Sequence, residues 1–236
     1  MKKLFVTTAV SVALCLGAVG ATGAYAQEAV PTYVKIDKPA KGTPIMVVLP
    51  TVSLNLLTAA GTQEPKEDWS KSAQTFLNTS MTESMSKLDY KTVGVDLNTY
   101  EDPTALQMLK LNAAVTDSVF YNSIWKLPTK TTFDYTLGED AAKLVPAGSD
   151  TVPAYALFVE CKGSYSSSGR AAAMIFMAAM GVGMPMGGQA MRATLVDLKT
   201  GQIVWYQLMI VPAGTDIRTA EGASEAVHSL FKQLPL

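Results

Sequence analysis

The side chains that do most protein chemistry are sparse in this chain. There is one histidine, His228. A zinc site needs several converging nitrogen and sulfur ligands, so a lone histidine beside Val227 reads as a satisfied or solvated residue. Cys161 lies inside the apolar run AYALFVECK (154–162), where a buried, inert thiol is expected. No G-x-x-x-x-G-K-[ST] loop occurs, which excludes nucleotide hydrolysis of that type. The stretch GSYSSSG (163–169) sets hydroxyls between two glycines, a pattern able to present backbone N–H groups to an anion with Arg170 beside them. It lacks the G-x-S-x-G elbow of a nucleophilic serine. Ser164, Ser166, Ser167, Ser168 and Arg170 are therefore candidates for a ligand loop, against the plainer reading of a polar turn. Glu139-Asp140 opens a predicted helix, where carboxylates suit the dipole. No catalytic, cofactor-binding or metal-ligating residue is predicted.

The segment that must position this loop is unusual in its own right. Arg170 to Gly188 reads RAAAMIFMAAMGVGMPMGG, rich in Ala, Met and Gly. As a helix from Arg170 to Met180 it reaches only about 16 Å, against a bilayer core of about 30 Å, so it cannot span as one helix. Met174, Ile175, Phe176, Met177, Met180, Met184 and Met186 are candidates for an interaction surface, since Met adapts to irregular partners. The alternative is a helix buried in the domain's own core.

The chain begins with Lys2 and Lys3, an uncharged apolar run from Leu4 to Val19, and Ala24-Tyr25-Ala26 before Gln27. That is the pattern of a secretory signal peptide over 1–26, so a bacterial periplasm is expected, with outer-membrane association open. Leu14 precedes Cys15 within the apolar run, so no lipobox is present. After cleavage only Cys161 remains and no intrachain disulfide can form. The full chain carries a formal charge of −1, and the leader removes two lysines and no acid. A nucleic-acid partner, which needs a basic face, is excluded.

Residues 27–44 read as an extended leader and 45–236 as a single α/β domain, with the insertion at 170–188. Ile45 to Leu49 is a short buried strand stopped by Pro50. Val52, Leu54 and Leu56 alternate, so Thr51–Thr62 is a strand or an extended edge. A helix over Pro65–Lys87 carries the stripe Trp69, Ala73, Phe76, Leu77, Met81, Met85 and Leu88. Thr92–Leu97 is a strand. Asp102-Pro103 opens a second helix whose apolar residues wrap more than one face, as between a sheet and another layer. Leu137–Val145 is a short helix. The strand 154–162 is apolar on both faces, as befits an interior strand. Arg192–Val211 is a hairpin, turning at Asp197–Gly201. Val204, Tyr206, Leu208 and Ile210 are expected on one face of its second arm, and Ile203, Trp205 and Met209 on the other. Asp216 is read as the cap of a last helix to about Gln233. The prediction is an α/β (α+β) fold: a mixed sheet of about five strands with helices packed on it, ending in a hairpin and a terminal helix.

The turn VDLKTGQIVW (Val196–Trp205) resembles the L-x-D-x-x-T-G-x-x-x-W hairpin of a group of bacterial envelope proteins. The group includes the curli secretion channel family and the meningococcal GNA-type lipoproteins, with a fold related to the N-terminal domain of the Tol-system β-propeller protein. Asp197, Thr200, Gly201 and Trp205 carry that resemblance. FDYTLG (Phe133–Gly138), YALF (Tyr155–Phe158), SYSSSGR (Ser164–Arg170) and TDIRTAEGA (Thr215–Ala223) are similar to a proteobacterial exported family of that type. The resemblance covers roughly Ile45 to Pro235. It implies envelope assembly or an accessory role, through a homo-oligomer or an envelope protein partner, with no known chemistry. Two features depart from the group: the missing lipobox, and Ala171–Met180, which lacks the polar and apolar alternation of a barrel strand.

Three function classes follow. The first is a non-enzymatic envelope module acting through self-association, a partner or peripheral membrane contact. The second is a binding module for a small or anionic envelope ligand. The third, a hydrolase, has only His228 to serve a loop serine.

Overall fold

A computed structural model describes residues 33–145 and 149–236. The predicted signal peptide, the first residues of the leader and part of the 146–150 turn lie outside the described residues.

Strands β1 (Tyr33–Val34), β2 (Pro44–Val48), β3 (Thr51–Leu57), β4 (Gln63–Pro65), β5 (Lys91–Val95), β6 (Tyr155–Ser166), β7 (Gln189–Asp197) and β8 (Ile203–Ile210) form one mixed sheet. Its main path runs β1-β8-β7-β6-β2-β5. β6 is the organising strand. Its first half pairs in parallel with β2, from Ile45 opposite Tyr155, and its second half with β3, from Thr51 opposite Glu160 to Leu57 opposite Ser166. β2 and β3 thus follow one another along one edge of β6. Pro50, which has no N–H to give to a ladder, lies at the joint. The sheet therefore has eight strands where about five were predicted. β3 resolves the open reading of 51–62, and the short β1 and β4 were not foreseen.

Helices α1 (Glu67–Lys87) and α4 (Ala220–Leu230) cover one face, and α2 (Pro103–Trp125) with a 3-10 turn over Glu139–Leu144 covers the other. Alternation along the strands feeds both cores. Ile45, Val47, Leu157, Val159, Cys161, Leu195 and Trp205 face α1 and α4, while Met46, Val48, Ala156, Phe158, Val196, Tyr206 and Leu208 face α2. Cys161 is fully buried and burial pushes its thiol up to about 12. The folded protein should resist iodoacetamide at pH 8 by a factor of about 100 or more relative to the urea-unfolded chain. Equal labelling rates would contradict this placement.

Several predicted boundaries move for physical reasons. Pro65 ends β4, opposite Asn55, and so stands outside the helix it was expected to open. α1 starts at Glu67 and buries Ala73, Leu77, Met81 and Met85. Leu88, at its C-cap, is exposed. Leu97 belongs to a 3-10 turn after β5. The α2 cap is as predicted: the Asp102 carboxylate accepts from the Thr104 N–H and Pro103 opens the helix. No further layer covers α2 among the described residues, and Leu106, Leu111, Tyr121, Ile124 and Trp125 are exposed. The hairpin carries a register shift at Leu195/Val196, which pair with Trp205 and Ile203 and leave Val204 as the extra residue. A bulge reverses the facing of what precedes it, so Ile203 joins Tyr206 and Val204 joins Trp205.

The α4 cap is Thr219, whose hydroxyl accepts from the Gly222 N–H, and not Asp216. Asp216 closes the preceding turn. Its carboxylate accepts from the Arg218 backbone N–H and twice from the guanidinium, at 2.8 Å each. That guanidinium stacks 3.8 Å from the Tyr165 ring centroid and 4.5 Å from that of Trp69, tying α1, β6 and the α4 approach together. The hydrogen bonds from Arg218 hold the Asp216 carboxyl at about 2. A lowered folded value means a stabilisation present above pH 4 and lost as pH falls towards 2. Discounted for the partial exposure of the carboxylate, the loss is about 1 kcal/mol. Acid titration of unfolding free energy should show this slope in wild type and lack it in Asp216→Asn.

Candidate functional site

The predicted ligand loop is not a loop. β6 runs on through Ser164 and Ser166, paired with Asn55 and Leu57 of β3, and passes into helix α3 (Ser168–Ala179). Ser167 is the N-cap, its hydroxyl accepting from the Arg170 N–H at 3.1 Å. The Ser166 hydroxyl accepts from the Gly187 N–H at 3.1 Å, and the buried Ser164 gives its carbonyl to the Gln189 side chain at 2.7 Å. Ser168 is exposed in the first turn of α3. The strand and the return chain press together here: a Cβ on Gly163 would meet the Gly188 carbonyl oxygen at 2.3 Å.

Arg170 points inward. It is 4% exposed, with Nε and Nη2 donating to the Pro185 carbonyl at 3.2 and 2.6 Å and Nη1 to the Thr58 carbonyl at 3.3 Å. The guanidinium, a candidate to help hold an anion, fastens α3 to the β3–β4 turn and to the return of the insertion. The serines and Arg170 do come together, as the base of a projection.

That projection is α3 with the chain to Gly188. Arg170 is the one buried residue of α3. Ala173, Met174 and Met177 are half-buried, as is Met184 in the return. Ile175 is 75% exposed, Phe176 65%, Met180 59% and Met186 72%. The alternative reading of 170–188 as a helix in the domain's own core is therefore overturned. The tip is closed by a Schellman turn: the Gly181 N–H donates to the Ala178 carbonyl at 3.0 Å, and the Val182 N–H to the Met177 carbonyl at 2.9 Å. Gly181, at φ +78°, occupies the left-handed position this turn requires.

The hairpin residues are structural. Asp197 Oδ1 accepts from the Lys199 and Thr200 N–H groups, the Thr200 hydroxyl from the Gln202 N–H, and Trp205 is fully buried. His228 is exposed on α4. Among the described residues no three His, Cys, Asp or Glu side chains gather as a metal site would need.

Two features escaped sequence reading. Arg192 of β7 is held between Glu160 of β6 and Asp117 of α2, under a cleft of about 250 Å³ walled by Phe120, Tyr121, Leu208 and Ile210. Glu160 inside an apolar strand was the available signal. The second is the outer end of α2, where Tyr121 and Trp125 stack at 5.3 Å.

No protein-family model and no curated protein matches the sequence. Solved structures do resemble it in outline. The PelC dodecamer from Paraburkholderia phytofirmans shares 11% identity over 88% of this chain and 97% of that one, with a TM-score of 0.35. Lipoprotein GNA1162 from Neisseria meningitidis shares 13% over 81% and 96%, at 0.36. The LpoB C-terminal domain from Salmonella enterica shares 13% over 74% and 87%, at 0.29. GNA1162 stands in the group that the hairpin resembles. Similarity this distant carries no argument about what this chain does.

Proposed function

We propose that this protein is an exported, non-enzymatic module of the cell envelope that works by assembly, docking its α3 projection on another envelope component. One observation carries the reading: a domain that buries its other helices against a sheet leaves Ile175, Phe176, Met180 and Met186 in water. Soluble domains rarely leave a contiguous apolar patch uncovered unless it binds something. The hydrogen-bonded base argues for a built feature, because Ser166, Ser167 and Arg170 hold the projection at defined points. The export pattern of residues 1–26 supports a periplasmic location. A second copy or an envelope partner are the assembly routes this reading admits.

Excising Ala171–Met186 tests it. The Gly187 N–H donates to the Ser166 hydroxyl at 3.1 Å, so after the cut the chain resumes beside the end of β6 and a short linker closes the gap. Wild type should stay with the envelope fraction of the native cell or run in solution above its monomer mass. The excised protein should be a free monomer that still unfolds cooperatively, at a somewhat lower melting temperature because Arg170 loses the Pro185 carbonyl. Identical behaviour of the two proteins contradicts the proposal.

A further inference from the structure

We infer that the component α3 docks on is lipid: the projection sinks its tip into one leaflet of a membrane while the sheet and its helices remain in water. This rests on the docking reading above and names its partner.

Charge decides first between lipid and a protein groove. From Ala171 to Met191 there is no Asp, Glu, Lys, Arg or His. A surface matched to hydrocarbon needs that blankness. Circumference decides next. At 3.6 residues per turn the exposed positions Ala171, Ala172, Ile175, Phe176, Ala178, Ala179 and Met180 span about 200° of the helix. A helix lying in a protein groove offers a stripe of roughly 100°, which would leave half of this arc wet. Lipid covers it all.

The dimensions agree. α3 has 12 residues, a rise of about 18 Å, against about 15 Å for half of a bilayer core. Among the described residues no helix is long and apolar enough to cross a membrane. Backbone polar groups at membrane depth favour internal partners, and the Schellman turn gives the Met177 and Ala178 carbonyls theirs. The return is short, because the Pro185 carbonyl is already back at the base on Arg170.

The test is flotation with protein-free vesicles, of phosphatidylethanolamine with phosphatidylglycerol and of phosphatidylcholine alone. The chain used begins at Gln27, its intact mass showing that the apolar leader is gone. Wild type should float with both compositions and hold in high salt, since hydrocarbon contact is not screened. Ile175→Ser with Phe176→Ser should weaken partition roughly tenfold or more. Tyr121→Ser with Trp125→Ser should leave it unchanged. The inference is overturned by wild type that fails to float, by the α3 pair floating as wild type does, or by loss of flotation in the α2 pair instead. Wild type retained by native envelopes and ignored by pure vesicles would show a protein partner, sinking the lipid inference and leaving the docking reading standing. If the excised chain is also retained by envelopes, the docking reading itself falls.

Discussion

Gly201→Ala should lower the unfolding free energy by about 3 kcal/mol, read as a shifted urea midpoint at constant slope. Gly201 sits at φ +69° in the hairpin turn, a region costly to residues with a Cβ. Space is the larger obstacle. A Cβ there would meet the Gly138 carbonyl oxygen at 2.0 Å and its carbonyl carbon at 2.6 Å. These are backbone atoms, and the Leu137 N–H to Gly201 carbonyl bond, 2.8 Å, holds the two segments together. Relief requires the Phe133–Gly138 segment to leave the hairpin. Gly214 is the control. Its φ is +94° and nothing lies within 4 Å of its Cβ position, so Gly214→Ala should cost only about 1 to 2 kcal/mol. Equal effects at both sites would refute the close approach.

The second large effect lies on β8, the strand next to the β1 edge of the sheet. Trp205 is fully buried among α4 and the β6–β8 core, and Trp205→Ala should cost about 3 to 5 kcal/mol through lost burial and the remaining cavity. The indole N–H has no hydrogen-bond partner among the described residues. Burying an unpaired donor itself costs about 1 to 3 kcal/mol, so Trp205→Phe removes a penalty along with some packing. It should cost less than half of what alanine does. Denaturant titration of both variants checks this, and a phenylalanine as damaging as alanine would show that the indole nitrogen is satisfied.

Both positions sit in the hairpin that sequence reading found most easily, and the reason is local. A turn closed by its own Asp197 side chain and a glycine needs little help from distant residues. Strands apolar on both faces, such as 154–162, were legible for the same kind of reason: their neighbours on either side are simply more core. Pairings that depend on a distant partner were not. Tyr33–Val34 is a strand only because β8 lies beside it. Nothing in Ile203 and Val204, two β-branched residues alike in size, announces a bulge between them. GSYSSSG has the composition of a turn, yet its pairing with β3 overrides that preference and sets Ser164 and Ser166 in a ladder. The direction of Arg170 is not legible from its charge, since the side chain's inward course is fixed by the Thr58 and Pro185 carbonyls, which only the fold brings to it. The insertion itself was found from composition. Whether it lay in the core or outside it was not readable, because the same apolar residues serve both, and the exposure of Ile175 and Phe176 is what separates them.

Hydrogen exchange over 171–186 tests that separation most directly, comparing the isolated protein with the same protein in native envelopes. Amides of α3 should exchange fast in isolation, because a 12-residue helix packed on little else is marginal in water. They should become protected in the envelope while the β6–β8 core stays equally protected in both. Strong protection of α3 in the isolated protein, or none in either sample, would contradict a projection that exists to dock.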